Sequence, residues 1–568
     1  TMSESMESES FSAFSPGEPA VDAFFVSKHN QSAEIYQIFK DEVDALLEAS
    51  KTPSLDHSLR IRSILSHCEN LITVFEDEKQ YLMGDLLCNW AIRQQKLSIS
   101  TLWTQQLHYK QLDIIHLQFE YFGELLQQTL SGLNYLQEMF PGVGFDECHA
   151  RFRHMAHYFL YYSIIVSRQP PSVVVKCGEA ENHRRSRFWF NTELRVLGGG
   201  AFGIDGSGEG MQVRCFLITD ETAKQLLSNA YHDVFESEEF VIEPPTAVFL
   251  RKEGKGLRSK FDDMRVSKKA QLRRDSVATR RYCLCYSVQL TTSCGIELVG
   301  KKVSLPFAVL VGPKADVEAK LFLERSFADL VRRPLSDIPT HASAVELVDQ
   351  MEMKFQAIIE TPQKSTDGPQ LIQPRMLSRQ AKDHLINRLK PNPQGFVPLE
   401  NFLKLPVAEE YQLKKNSTTE GDWKLVPYFD WFFKLAEIIN KYLYQMWHNG
   451  LIFGFCSKDD AERMLLSIPR SVLLVRFSDI EYAKIKISVK SSHGEIRHHW
   501  YDHSDLNARQ LTNELLANHK FAQIDLIYPD IDLEVALGGR EKPSLTRHPR
   551  SLANDIYFDN QGAATSTF

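Results

Sequence analysis

At 568 residues, 43% hydrophobic and 24% charged, the chain has the composition of an ordinary soluble globular protein, and its length predicts three or four domains. A net charge of −8 excludes nothing by itself, because an acidic total can hide a basic patch. No apolar run approaches the ~18 residues of a membrane span, the first 22 residues lack the cationic and apolar parts of a signal peptide, and nine cysteines show no disulfide or CxxC spacing. The expectation is a reduced, intracellular protein without membrane insertion.

Residues 1–25 are Ser/Glu-rich and predict disorder. Ile35, Phe39, Val43 and Leu46 then recur at helical spacing up to a break at Thr52–Pro53. No proline occurs from 54 to 140, while Leu65, Ile72, Phe75, Leu82, Leu86, Leu107, Ile114, Leu117, Tyr121 and Leu125 keep helical steps. This predicts an antiparallel bundle of three or four helices over 26–166, closing with a helix over 147–166. The texture changes at SRQPPSVVVKCG (167–178). From there to about 325, FWFNTELRVL, MQVRCFLI, RRYCLCYSVQL, GIELVG and SLPFAVLVG read as the short strands of a β sandwich or barrel. Inside it, residues 251–281 carry twelve Lys/Arg against four Asp/Glu and read as a basic connecting loop. Helices return over 326–446, followed by a mixed α/β segment (447–540) and an irregular tail (541–568).

The sharpest chemistry lies in SVLLVRFSD (471–479). Val472, Leu474 and Arg476 share one face of the predicted strand, and Leu473, Val475 and Phe477 share the other. Both faces are apolar, as in a strand buried on two sides, so Arg476 needs an anion. Two sources stand open: an internal salt bridge to Asp479 or Glu481, or a phosphoryl group held bidentately, with Ser478 and loop N–H groups as further donors. Ser457 predicts an N-cap with Asp460 at N3, which puts Lys458 in the first turn of a helix before this strand. In AKIKISVK (483–490), Ala483, Ile485, Ile487 and Val489 oppose Lys484, Lys486 and Lys490.

WHNGLIFGFCSK (447–458), SVLLVRFSD and LIYPDIDLEVALG (526–538) resemble the Src homology 2 domain of the STAT family, the signal transducers and activators of transcription. VSRQPPSVVVKCG, SLPFAVLVG and FVPLENFLK (396–404) resemble the start and end of that family's DNA-binding domain and its linker, in the family's order. The resemblance implies a multidomain α+β fold: an antiparallel four-helix coiled-coil bundle (26–166), an immunoglobulin-like β DNA-binding domain (167–325), a helical linker (326–446), the Src homology 2 domain (447–540) and a phosphotyrosine tail (541–568). It implies a shortened member, without the usual N-terminal helical domain and with eleven residues after the tail tyrosine.

Carried over, the resemblance makes Arg476 the phosphotyrosine-binding arginine, with Lys458, Ser478 and Asp479 around it. Ile480 stands where the family usually has a second serine, which implies a thinner phosphate cradle. In the tail, NDIYFDN makes Tyr557 the phosphorylation site; Tyr528, the competing tyrosine in LIYPD, has an apolar setting that reads as core. Three usual DNA-contact positions are changed, to Glu193, Ser287 and Gly312, and Glu193 is expected to repel phosphate. Compensation is expected from Lys314, Arg251, Lys252, Lys268, Lys269, Arg273 and Arg274. The implied partners are double-stranded DNA with paired half-sites, a second copy bound through phosphotyrosine, an upstream tyrosine kinase, and transcriptional co-regulators on the bundle. The implied places are cytoplasm and nucleus. The alternative is a phosphotyrosine-binding adaptor whose helical bundle recruits membrane or nuclear partners, with DNA binding lost or secondary.

No catalytic constellation, metal site or cofactor is expected. LGGGAFG (197–203) has the G-x-G-x-x-G spacing of a kinase loop, yet the lysine strand, H-R-D and D-F-G are missing. RRDS (273–276) is a short basophilic match at Ser276. Cys283 and Cys285 lack partner ligands, and His498, His499 and His503 cluster after the phosphate loop without a fourth ligand.

Overall fold

The computed structural model describes residues 22–53, 55–175, 189–204, 211–228, 236–237, 239–252, 256–268, 280–310, 314–333, 337–360, 372–414 and 420–538. Residues 1–21 and the tail with Tyr557 lie outside these ranges, as do Lys269, Arg273, Arg274, Ser276 and Gly312.

Helix α1 (Ala23–Ala49) starts where Asp22 accepts the Phe24 N–H. After a turn, α2 (Ser58–Gln80) runs through a π-helical segment (Tyr81–Leu87) into α3 (Cys88–Leu97). Then come α4 (Leu102–Lys110), α5 (Leu112–Met139) and α6 (Phe145–Ser163). The helical spacing of Phe39, Val43, Leu71, Phe75, Phe122 and Phe152 puts them into one core. Each such side chain contributes about 1.5–3 kcal/mol of burial. Helix α6 ends three residues short of the expected boundary. Ile164, Ile165 and Val166 belong instead to strand β1 (Ile164–Arg168), which pairs antiparallel with Glu193–Val196. β-branched residues favour that switch.

The β-rich part continues with β2 (Val173–Val175), β3 (Phe190–Val196), β4 (Gln212–Thr219), α7 (Asp220–Ser228), β5 (Phe240–Glu243), β6 (Thr246–Lys252), β7 (Gly256–Lys268), β8 (Tyr282–Thr291), β9 (Glu297–Val303) and β10 (Ala308–Leu310). The main sheet has the order β1-β3-β7-β6-β4-β8-β9, with β5 against β7 and a separate β2–β10 pair. Strand β6 pairs with β4 through Thr246–Val248 and with β7 through Phe249–Lys252, so it links the two sides of the sheet. Much of the basic segment 251–281 is therefore strand, not loop: Arg251 and Lys252 end β6, and Lys268 ends β7. Bundle and β part share a single core, in which Phe159 packs against both Phe119 and Phe202.

Helix α8 (Ala315–Phe327) begins the second half, ahead of the expected boundary at 326. Strand β11 (His341–Ser343), α9 (Ala344–Ile359), α10 (Arg379–Arg388), β12 (Phe396–Pro398) and α11 (Glu400–Lys404) follow. The linker is not wholly helical. Strands β13 (Pro406–Leu413) and β14 (Gly421–Pro427) form a hairpin before α12 (Tyr428–Ile438), a second π segment and α13 (Tyr444–His448).

The last unit holds β15 (Ile452–Gly454), α14 (Lys458–Leu466), β16 (Val472–Phe477), β17 (Ile485–Lys490), β18 (Ile496–Tyr501), α15 (His503–Ala508), α16 (Leu511–Ala517), β19 (Leu526–Ile527), β20 (Ile531–Asp532) and α17 (Leu533–Gly538). Its sheet order is β18-β17-β16-β19-β20, with β15 also on β16. The core of the linker helices runs unbroken into this sheet through Phe355, Phe432, Trp447, Phe455 and Phe477. Among the described residues, no helix is long and apolar enough to cross a membrane.

Candidate anion pocket on the central strand of the last unit

Strand β16 sits mid-sheet and is covered on both faces. Leu473, Val475 and Phe477 enter the core shared with the linker, and Val472 and Leu474 enter a smaller one with Cys456, Ala461 and Leu465 of the α14 side. Alternation puts Arg476 on the α14 side, 4% exposed. Gly454 stands opposite it on β15 and Lys486 on β17. Its Nε donates to Ser488 Oγ at 3.1 Å, and Nη1 makes a long contact of 3.5 Å to the Phe477 carbonyl. Burial pulls the guanidinium below its ordinary range, opposed by surrounding acidic groups at a distance.

Among the described residues, Arg476 makes no ion pair, and the two internal candidates are engaged elsewhere. Asp479 Oδ1 lies 2.8 Å from His384 Nε2 of α10, and the Asp479 carbonyl accepts from Arg388 at 2.7 Å. Glu481 sits 2.5 Å from Lys486 Nζ and 3.8 Å from Lys484 Nζ. Burial alone would raise the Glu481 carboxyl, but these lysines and Ser478 hold it below its usual value.

Behind Arg476 a polar chain leads outward. Ser488 Oγ is 2.8 Å from His498 Nδ1, His498 Nε2 is 2.8 Å from Glu462 Oε1, and Glu462 Oε1 is 3.9 Å from Lys458 Nζ. The local sequence builds this line: Ser457 accepts the Asp460 N–H at 3.1 Å and starts α14, so Lys458 and Glu462 fall one turn apart on one side. Burial lowers the His498 imidazole pKa, against the pull of Glu462.

Lys458 and Arg476 thus reach the same network, whereas Ser478 and Asp479 make no hydrogen bond or ion pair with Arg476 among the described residues. Ser478 is 1% exposed and its hydroxyl accepts the Glu481 N–H at 3.2 Å, while its carbonyl accepts from the Trp431 indole at 2.9 Å. The loop is anchored on the linker, a tertiary demand invisible in SVLLVRFSD. Ile480 is 67% exposed and points away from that loop's interior. Sequence reasoning missed Ser488 and Glu462. The signal for Ser488 was its place among Lys484, Lys486 and Lys490 on the polar side of β17.

Glu193 is not a surface charge. It is 5% exposed, accepts from Tyr109 Oη at 2.6 Å and Ser167 Oγ at 2.7 Å, and lies 3.8 Å from Arg258. The expected repulsion of phosphate by Glu193 therefore does not hold: the carboxylate is buried between β1, β7 and α4, and Arg258 of β7 compensates its charge. Beside it, Arg195 Nη2 meets Asp113 at 2.7 Å. Arg251 is exposed but leans to the bundle, since a Cβ on Gly200 would lie 2.7 Å from its Nη2 and 3.0 Å from Glu120 Oε1. Lys314 is exposed ahead of α8, and Ser287 is partly buried on β8.

The glycine run has a structural role. Gly198 has φ 68° and its backbone lies against Phe119, where a Cβ would be 2.8 Å from main-chain carbon. Glu120 accepts the N–H groups of Gly200 and Ala201 at 2.9 and 2.8 Å, filling the cradle with a side-chain carboxylate. The three histidines do not cluster: His499 turns to the opposite side of β18 against Phe521, and His503 lies 2.8 Å from Tyr442 Oη. Among the described residues, no group of three His, Cys, Asp or Glu is arranged to hold a metal.

A helical bundle fused to a β-rich unit, and a linker fused to an α/β unit that buries a guanidinium without an ion pair among the described residues, define a multidomain α+β protein. Residues 23–161 match the family described as "Signal transducer and activator of transcription b N-terminal". The chain is 71% identical over 565 residues to "Signal transducer and activator of transcription b" of Caenorhabditis elegans, covering 99% of both chains. The chain belongs to the signal transducer and activator of transcription family.

Proposed function

We propose that the chain is a latent signal transducer and sequence-specific DNA-binding transcription factor, switched by tyrosine phosphorylation. The last unit acts as a Src homology 2 domain. A tyrosine kinase modifies Tyr557, and the phosphoryl group enters the Arg476 pocket of a second copy. The observation that carries this reading is Arg476 itself: 4% exposed, hydrogen-bonded to Ser488 and, among the described residues, without an internal ion pair. A buried guanidinium cannot shed its proton, so it calls for an external anion. Reciprocal docking of two tails closes a two-fold dimer and multiplies two modest contacts. The β-rich unit, of immunoglobulin-like type, grips one half-site of paired DNA half-sites in each copy, in cytoplasm-to-nucleus signalling. Neither step needs enzyme activity or a cofactor.

The test is binding of a phosphorylated NDIYFDN peptide to the full chain, wild type against Arg476→Ala. Tight binding lost in the variant supports the pocket; equal binding sinks it. One observation favours the adaptor reading: Glu193, Arg195 and Arg258 are spent on the bundle, leaving fewer strand charges for phosphate. Selection from random duplexes with phosphorylated chain separates the two, since an adaptor enriches no half-site.

A further inference from the structure

The β13–β14 hairpin stands on the linker with one apolar face uncovered. Register pairs Glu409 with Leu425, Glu410 with Lys424, Tyr411 with Trp423, Gln412 with Asp422 and Leu413 with Gly421. Tyr411, Leu413, Trp423 and Leu425 therefore share a face, and they are 49%, 61%, 56% and 60% exposed. The inner edge is taken. Glu409 donates its N–H to the Ile480 carbonyl and accepts from the Tyr482 N–H, stitching β13 to the loop after β16.

Those two bonds fix the phase of the hairpin. Opposed residues in an antiparallel pair turn their N–H and C=O groups either toward each other or both away. Glu409 turns away from β14, so Leu425, Trp423 and Gly421 turn theirs away from β13. The Lys414 N–H to Glu420 carbonyl bond has the complementary phase. Trp423 shows it directly, because its N–H is held by its neighbour Asp422 Oδ1 at 2.9 Å and not by β13. Among the described residues, no strand pairs with this outer edge of β14.

We propose that the β14 edge is a docking surface for the β14 edge of a second copy, joining two hairpins into a four-stranded antiparallel sheet without phosphotyrosine. The dyad passes through Trp423. Trp423 then faces Trp423 of the other copy, and Gly421 faces Leu425, all with outward N–H and C=O groups in phase for a ladder. On the other face each Asp422 lies opposite Lys424 of the second copy, so the edge is complementary to itself in charge. The Tyr411 ring already lies over Gly421, where a Cβ would come 2.3 Å from Cζ, and packs edge-on against Trp423 at 5.3 Å. In the isolated chain Asp422 holds the Trp423 N–H; on pairing, that N–H passes to the facing carbonyl and the carboxylate turns to Lys424. Exposed edges with apolar faces are templates for strand addition, and a two-fold pairing closes on itself.

The proposal stands apart from the Arg476 reading, since its test uses unphosphorylated chain. Sedimentation of the full-length wild type over a concentration series is expected to show a reversible dimer. Asp422→Lys and Lys424→Asp should each weaken it about tenfold, by setting like charges opposite at two symmetric places. Mixing these two variants restores both pairs and should return a heterodimer of wild-type strength. Trp423→Pro, which removes the central donor, should leave monomer, with thermal unfolding of all variants checked against wild type. A wild type that stays monomeric, charge variants that dimerise as tightly as wild type, or a mixture that does not recover would each overturn the proposal.

Discussion

The arginines that tie the β-rich part to its neighbours are buried in a different way from the one in the last unit. Arg195 is fully buried against Asp113 at 2.7 Å. Arg325, also fully buried, gives its donors to the carbonyls of Pro306 and Pro170 at 2.9 to 3.3 Å, and burial pushes it down to about 10. Both are structural ties between segments far apart in sequence. Arg476 has a serine hydroxyl at 3.1 Å and one long carbonyl contact, while Asp479 and Glu481 are held by the linker and by lysines. Where a buried arginine serves the fold, the chain supplies its acceptors; where it waits for a ligand, the nearby carboxylates are turned aside.

That contrast gives the largest expected effect. Arg476→Ala should cut phosphopeptide affinity about a thousandfold, because two charge-assisted bonds of ~1.5–3 kcal/mol each go with the guanidinium. Its thermal stability should be unchanged or higher, since an uncompensated buried charge is removed. Titration calorimetry beside a thermal melt reads both, and a variant that binds normally but melts early makes Arg476 another structural tie.

The converse variant is Asp113→Ala, which removes the carboxylate paired with the buried Arg195. Stability should fall by about 3 kcal/mol, the low end for a broken buried pair because Asp113 is partly exposed. Phosphopeptide binding should not move. Denaturant unfolding checks the first and anisotropy the second.

Histidines in the bundle half show the other way to bury a base, which is to shed the proton. His116 Nδ1 accepts the Gly198 N–H at 3.1 Å, a role only an unprotonated nitrogen fills. Burial first, then Arg195, holds His116 down to about 4; burial does the same for His108. The unfolded chain takes up these protons below its ordinary histidine pKa of ~6.5 and the folded chain does not, so this stability is complete above ~6.5 and lost as pH falls toward 4. At pH ~5 the loss is about 2 kcal/mol per histidine. His116→Asn, which keeps an acceptor for Gly198, should flatten the pH dependence of unfolding; an unchanged slope would mean that folding does not lower the His116 pKa.

What was legible in the sequence was local. Alternation in SVLLVRF set Arg476 on the face of the smaller core, and Ser457 announced α14. The pocket's inner chain of Ser488, His498 and Glu462 spans two strands and a helix, and no single window displays it. Glu193 read as a surface charge because its partners, Tyr109 and Ser167, come from other elements. Strand β7 was hidden by charge and by a slip in its alternation at Asp262–Asp263, where Asp263 has φ 52°. Strand β14 was hidden because its apolar residues face out.

The smallest expected effects test the outer end of the pocket, where the contrast between spent and waiting cations is least sharp. Lys458 keeps 63% of its side chain exposed, and its neighbour Glu462, 3.9 Å away, also binds His498. Glu462 is thus a resident counter-charge that an arriving phosphoryl group must share Lys458 with. Lys458→Ala should weaken phosphopeptide binding only a few-fold, as exposed ion pairs contribute little. Glu462→Gln keeps a hydrogen-bonding group for His498 while removing the competing charge, so it should strengthen binding by a similar factor, most clearly at low salt. Calorimetry of both variants at two salt concentrations reads the opposite signs. If both weaken binding, Glu462 orients Lys458 and His498 toward the phosphate, and the polar chain behind Arg476 is a support, not a rival.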